Sequence, residues 1–155
     1  MEHLIAEIKS AKRKKFFFWE KPIFSYGERL DSRSLDKLEK DFDFIFPSKI
    51  RTLLLELGQG FANDLYIHGS DMIYPFDEQN GKIEGFITFA SDDLGNYFAF
   101  SPRSEDYNAI YYCCHDPLGY CKVAKDAEDF LSIFVFSGLK INDYVHNLEL
   151  NKIDS

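Results

Sequence analysis

The spacing of apolar residues changes character near residue 64, and the change predicts the architecture. Before it, the period is helical. Leu4, Ile5, Ile8 and Ala11 form one stripe of a helix over residues 1–15, which the run Lys12-Arg13-Lys14-Lys15 closes. Phe16-Phe17-Phe18-Trp19 and Pro22 then mark a break. A second helix, capped by Ser32 or Ser34, turns Leu35, Leu38 and Phe42 inward. Pro47 suits the first turn of a third, whose stripe is Ile50, Leu53, Leu54 and Leu57 and which Gly58 and Gly60 stop.

From about residue 64 the period shortens to that of strands. Residues 65–67, 72–74, 86–89, 97–100, 109–115 and 120–124 are short aromatic and β-branched runs. Turn signals part them at Asn80-Gly81, at residues 92–96 and at Asp116-Pro117-Leu118-Gly119. The short later connections predict an antiparallel meander. Helix returns over residues 126–136, with Asp126 as cap and Phe130, Leu131 and Phe134 inward, and a short terminal helix takes in Tyr144, Val145 and Leu148. The expected fold class is α+β: N-terminal helices, an antiparallel β-meander sheet covered on one face by helices, and a C-terminal helix.

Composition supports a packed core. Of 155 residues, 45% are hydrophobic and 16 are Phe, and a chain of this length is expected to form one domain over 1–155. No apolar run approaches the roughly 18 residues of a membrane span. Without a basic, then apolar, N-terminal stretch, the expectation is a soluble cytoplasmic protein. Cys113, Cys114 and Cys121 are too few and too clustered for a disulfide framework. The net charge of −8 is uneven: residues 1–21 carry +3 and the rest −11. An acidic body disfavours nucleic acid and favours a basic protein partner. The basic run beside four aromatics is read as covering a core edge while its cations reach water, so that no membrane partner is expected.

The cluster Cys113-Cys114-His115 with Cys121 invites a zinc or thiol reading. Strand geometry opposes it. With Pro117-Leu118 as the tip of a hairpin, Cys114 faces Cys121 and His115 faces Tyr120. Alternation then puts Cys114 and Cys121 on one face and Cys113 and His115 on the other, so one tetrahedral site cannot collect all four. Cys113 and His115 share the open face, but nothing nearby in sequence promises oxyanion donors. Asp92, Asp93 and Asn96 lack the alternating oxygens and final Glu of a calcium loop and read as a turn closed by side chains. Neither a catalytic residue, a metal ligand nor a cofactor is assigned.

Six stretches resemble a known family. Leu35 to Lys40, Ile45 to Leu54 with its Phe46-Pro47 step, and Gly58-Gln59-Gly60 are similar to the opening of SUKH domains. Ile87 to Phe100, with its glycine-and-acid turn, resembles the family's central strand pair. Ala109 to Tyr112 and Val123 to Leu131 resemble its next strand and closing helix. The resemblance spans about residues 30–136, with 1–29 a preceding helix and aromatic segment. Phe46 stands where Leu is usual before the proline, and Gly58-Gln59-Gly60 replaces the commoner Asn-Gly. The resemblance implies no catalytic centre. It implies an immunity protein that neutralises a bacterial toxin, often a nuclease, by stoichiometric binding, or alternatively a regulatory or scaffolding protein of the same fold. Partner-binding candidates on the turns and the open strand face are Asp92, Asp93, Asp106, Tyr107, Tyr111, His115 and Tyr120.

Overall fold

A computed structural model describes residues 1–15, 19–76, 85–102, 104–137, 139–146, 148 and 151–152, with backbone alone at 13–15, 19 and 151–152. The expected turn at Asn80-Gly81 lies outside the described residues.

Helix α1 (Glu2–Ser10) buries Ile5 and Ile8. It ends sooner than the expected residue 15: Ala11 is already extended, and Lys12–Lys15 form strand β1, paired antiparallel with β2 (Trp19–Pro22). Four consecutive cations repel at the i,i+3 spacing of a helix. The aromatics that follow favour extended backbone. After β3 (Ser25–Tyr26) comes α2 (Ser32–Phe42). Its cap is Asp31, not Ser32 or Ser34: the Asp31 carboxylate accepts the Ser34 amide at 2.7 Å. A charged acceptor suits the positive end of a helix, and these hydrogen bonds hold the Asp31 pKa below its usual value.

Pro47 directly precedes α3 (Ser48–Thr52), which continues through Leu53–Leu57 with a wider turn closed by Gly58 N–H on the Leu53 carbonyl, 3.1 Å. Gly58 has φ +76°, and a Cβ there would approach Arg29 Cα to 2.9 Å, so glycine is required at this stop. All four residues of the expected stripe, Ile50, Leu53, Leu54 and Leu57, are buried.

The main sheet is an antiparallel meander: β3, β4 (Gly60–Ala62), β5 (Leu65–Ile67), β6 (Ile87–Asp92), β7 (Tyr97–Phe100), β8 (Ile110–His115), β9 (Leu118–Ala124) and β10 (Asn151–Lys152) lie side by side in that order. The expected strand at 72–74 is displaced. Ser70–Met72 make a tight 3-10 turn, and the chain rejoins the sheet only afterwards, where Pro75 bridges Ile87. Helix α4 (Ala127–Phe130) extends as a wider turn to Phe136, and α5 (Ile141–Val145) follows. Asp126 caps α4 as expected, accepting the Glu128 and Asp129 amides at 3.0 Å.

Helices cover one face of the sheet. Phe130 packs on Phe89 and Phe98 with ring centroids 5.3 and 5.1 Å apart, and Phe134 lies 5.0 Å from Phe98. On the N-terminal side Phe46 meets Phe100 at 5.1 Å. Each such ring, wholly buried, contributes about 2–3 kcal/mol.

Candidate functional site

Hairpin β8–β9 decides the cysteine question. Its register pairs His115 with Leu118, Cys114 with Gly119, Cys113 with Tyr120 and Tyr112 with Cys121. The tip is therefore Asp116-Pro117 rather than Pro117-Leu118, which removes the expected facing pairs Cys114–Cys121 and His115–Tyr120. The displacement is two residues, an even number, so it changes partners without exchanging faces. Cys114 and Cys121 join the core beneath the helices, whereas Cys113 belongs to a small cluster on the opposite face with Phe76, Phe86 and Ala99.

That opposite face is less open than the sequence implies. Phe76 and Phe86 cover its middle, and Cys113 is fully buried. Burial pushes the Cys113 thiol far up and the Cys121 thiol up to about 11, the reverse of an activated nucleophile. His115 is exposed and turned towards Asn96.

The face also carries a row of residues across all eight strands: Ser25, Phe61, Tyr66, Ser91, Tyr97, Cys113, Tyr120 and Asn151 are successive cross-strand partners. Beside this row His68 is wholly buried, its Nδ1 2.9 Å from the Met72 carbonyl and its Nε2 3.0 Å from Ser91 Oγ. A carbonyl only accepts, so Nδ1 carries the proton and the Ser91 hydroxyl donates to Nε2. Burial lowers the His68 pKa to about 4, against the weaker pull of the Met72 carbonyl and Asp71.

The seven partner-binding candidates separate into two groups at opposite ends of β7 and β8, with Tyr120 between them. At one end, the turn from β6 to β7 is built around Asp92. This residue is 8% exposed. Its Oδ1 accepts the Leu94 and Asn96 amides at 2.9 and 2.8 Å, and its Oδ2 accepts Asn96 Nδ2 at 3.0 Å and the Tyr112 hydroxyl at 2.6 Å. Asn96 also donates to the Tyr112 oxygen, 2.7 Å, and its Oδ1 accepts from His115 through the backbone amide at 3.3 Å and Nδ1 at 2.8 Å. Desolvation, and then the Asp92 carboxylate, hold the Tyr112 hydroxyl protonated well beyond its ordinary range. Asp92 thus shapes the turn, and what the turn presents outward is Asp93 and Leu94, the latter 56% exposed, beside exposed His115 and Asp116.

At the other end, residues 104–109 are tied down from the surface. Tyr107 donates its hydroxyl to the Ile45 carbonyl, Asp106 pairs with Lys122, and the Ser104 and Tyr111 hydroxyls lie 3.2 Å apart. Ile45 itself is 71% exposed, although Phe44 and Phe46 on either side stack with each other. Tyr120 packs near Phe86 and Tyr111, at 5.0 and 6.2 Å.

Leu94, Asn96, Tyr112 and Ile45 were absent from the sequence-derived candidates. For Tyr112 and Asn96 a signal existed. Alternation along β6 sends Asp92 to the same side as Ala90, and a carboxylate sent inward requires donors. The exposure of Ile45 has no such signal, since it sits in an apolar run.

A comparison with curated proteins gives no match. The model of the SMI1 / KNR4 family (SUKH-1) matches residues 29–133. That segment runs from the approach to α2 into the turn after α4, and so contains both ends of strands β7 and β8 described above. The chain belongs to the SMI1 / KNR4 family, SUKH-1.

Proposed function

We propose that this chain is an immunity protein that binds a bacterial toxin domain with a basic surface, stoichiometrically, through the β6–β7 turn and the neighbouring tip of β8–β9. One observation carries the choice of surface. An exposed apolar residue, Leu94, stands on a turn whose backbone is fixed from below by the buried Asp92–Asn96–Tyr112 network, which exposed His115 joins through Asn96. An ordered turn loses little conformational freedom on docking, so more of the contact energy becomes affinity. Asp93 beside Leu94, and exposed Asp116 at the tip of β8–β9, supply negative potential that steers a basic partner and raises the rate of encounter. The family supports this reading because it includes proteins that work by protein–protein contact.

The test is co-expression with the toxin candidates encoded beside the gene, scored by survival and by co-purification. Leu94→Asp is expected to weaken the complex at least 30-fold, the loss typical of a hot spot. Asp93→Lys is expected to slow association and to reduce its salt dependence. Tight capture unaffected by either substitution moves the interface elsewhere.

A further inference from the structure

The hydrogen bonds beneath the β6–β7 turn also fix which nitrogen of His115 carries a proton. Asn96 is the adaptor. Its Nδ2 donates to Asp92 Oδ2 at 3.0 Å and to the Tyr112 oxygen at 2.7 Å, which uses both amide hydrogens. Its Oδ1 accepts the His115 backbone N–H at 3.3 Å. A backbone N–H only donates, and the Asp92 carboxylate here only accepts, so the Asn96 amide has one orientation. Its oxygen therefore faces His115 Nδ1, 2.8 Å away, and only a protonated Nδ1 completes that contact. The neutral ring is then the Nδ1–H tautomer, and its Nε2 keeps a bare lone pair.

That lone pair lies on the docking surface. His115 is exposed at the end of β8, and no described residue is hydrogen-bonded to its Nε2. The ring rests against the β6–β7 turn: a Cβ at Gly95, where φ is +84°, would stand 3.7 Å from His115 Cε1. Cε1 is bonded to Nε2, so the lone pair adjoins the turn that carries Asp93 and Leu94. The charged groups around the ring are all carboxylates: exposed Asp93 on that turn, exposed Asp116 on the tip, and Asp92 buried behind Asn96. On its own strand Tyr112 and Cys114 are the nearest titratable groups, and its partner on β9 is the uncharged Leu118.

We propose, on the toxin-binding reading above, that His115 Nε2 accepts a hydrogen bond from a lysine or arginine of the partner. A cationic donor gains twice, from the lone pair and from the carboxylates beside it, whereas a neutral donor gains only the first. Because Asn96 holds the ring, the acceptor is aimed before contact and loses little rotamer freedom on docking. Protonation reverses its part. Nε2 becomes a donor and sets a positive charge against a basic surface, while the Nδ1 contact to Asn96 is unchanged. The residue that receives the partner therefore also releases it in acid.

Two measurements test this. Long-range proton–nitrogen NMR spectra of the full chain alone report the tautomer of His115. The Nδ1–H pattern is expected, and an Nε2–H pattern overturns the proposal without any partner. The second measurement takes the toxin captured in the co-expression test, at about pH 8 and about pH 5.5, the interval over which histidine ordinarily changes charge. The parent is expected to lose about tenfold in affinity between them. His115→Gln, whose amide oxygen still accepts, is expected to stay within about threefold of the parent at the higher pH and to lose much less in acid. His115→Arg, which only donates, is expected to lose about tenfold or more at both. Circular dichroism checks that both variants fold. Equal acid loss in the parent and His115→Gln, or full affinity of His115→Arg, overturns the proposal; Leu94→Asp still weakening the complex then upholds the surface. If no toxin is captured, or Leu94→Asp and Asp93→Lys leave capture intact, the surface itself is wrong and His115 loses its role with it.

Discussion

The two ends of strands β7 and β8 solve one problem by opposite means. Both must hold a connection in place. The β6–β7 turn does so with buried hydrogen bonds converging on Asp92 and Asn96, whereas residues 104–109 are held by contacts reachable by water, among them the Asp106–Lys122 pair. Inside the protein a hydrogen bond to an ionised group is strong and its loss strands a partner; at the surface, water substitutes. The difference implies a turn with a single geometry at one end and an adaptable loop at the other. That is why we place docking on the first.

The comparison is broken most directly at Asp92. Asp92→Ala leaves the Tyr112 hydroxyl, the Asn96 amide and two backbone N–H groups without their acceptor. The expected cost is about 3–5 kcal/mol, read as a lower urea midpoint. Tyr112→Phe, which removes one donor and keeps the ring, is expected to cost about 1–2 kcal/mol. A loss below about 1 kcal/mol for Asp92→Ala would mean that solvent replaces the network and that the two ends are alike.

His68 tests whether the middle of the outer face behaves like the networked end. Its folded pKa, about 4, lies below the ordinary 6.5. The folded state therefore favours the neutral ring, and the stability this represents is present above pH 6.5 and is lost as pH falls towards 4. The full effect is about 3 kcal/mol, and His68→Asn is expected to flatten that part of the stability profile relative to the parent. Asp71 lies close enough to favour the charged ring and contributes to the same profile, so Asp71→Asn is the control. An unchanged slope between pH 6.5 and 4 in His68→Asn would assign acid sensitivity to the carboxylates instead.

How much of this was legible in the sequence follows from the range of the forces involved. Faces are set by alternation, a local property, so the division of Cys113 and His115 from Cys114 and Cys121 survived a hairpin tip misplaced by one residue at each side. The stripe Ile50, Leu53, Leu54, Leu57 was legible for the same reason. Strands β3, β4 and β10 were not: two or three residues give no period to read, and Gly60 argues against a strand. Gly60 is nevertheless needed there, because a Cβ would fall 2.2 Å from the Ser25 carbonyl oxygen. The networked end was half legible. A turn closed by Asp92 and Asn96 was expected, but its third member, Tyr112, comes from a strand 20 residues away and only the folded sheet supplies it.

The smallest effect belongs to the other end. Asp106 and Lys122 are each about half exposed, at 49% and 46% for their side chains. Such a pair forgoes little hydration and gains little, and it fixes two mobile side chains in the process. A double-mutant cycle over Asp106→Ala and Lys122→Ala is therefore expected to give a coupling of about 0.2–1 kcal/mol that shrinks further in high salt. The Tyr107 contact to the Ile45 carbonyl offers a second measurement: Tyr107→Phe removes the hydroxyl and leaves an exposed carbonyl that water satisfies, at a cost of about 1 kcal/mol. Should either measurement approach the Asp92→Ala loss, the 104–109 loop is as firmly held as the turn. Rigidity would then no longer distinguish the two ends, and Ile45 with Tyr107 would have the same claim on a partner as Leu94 with Asp93.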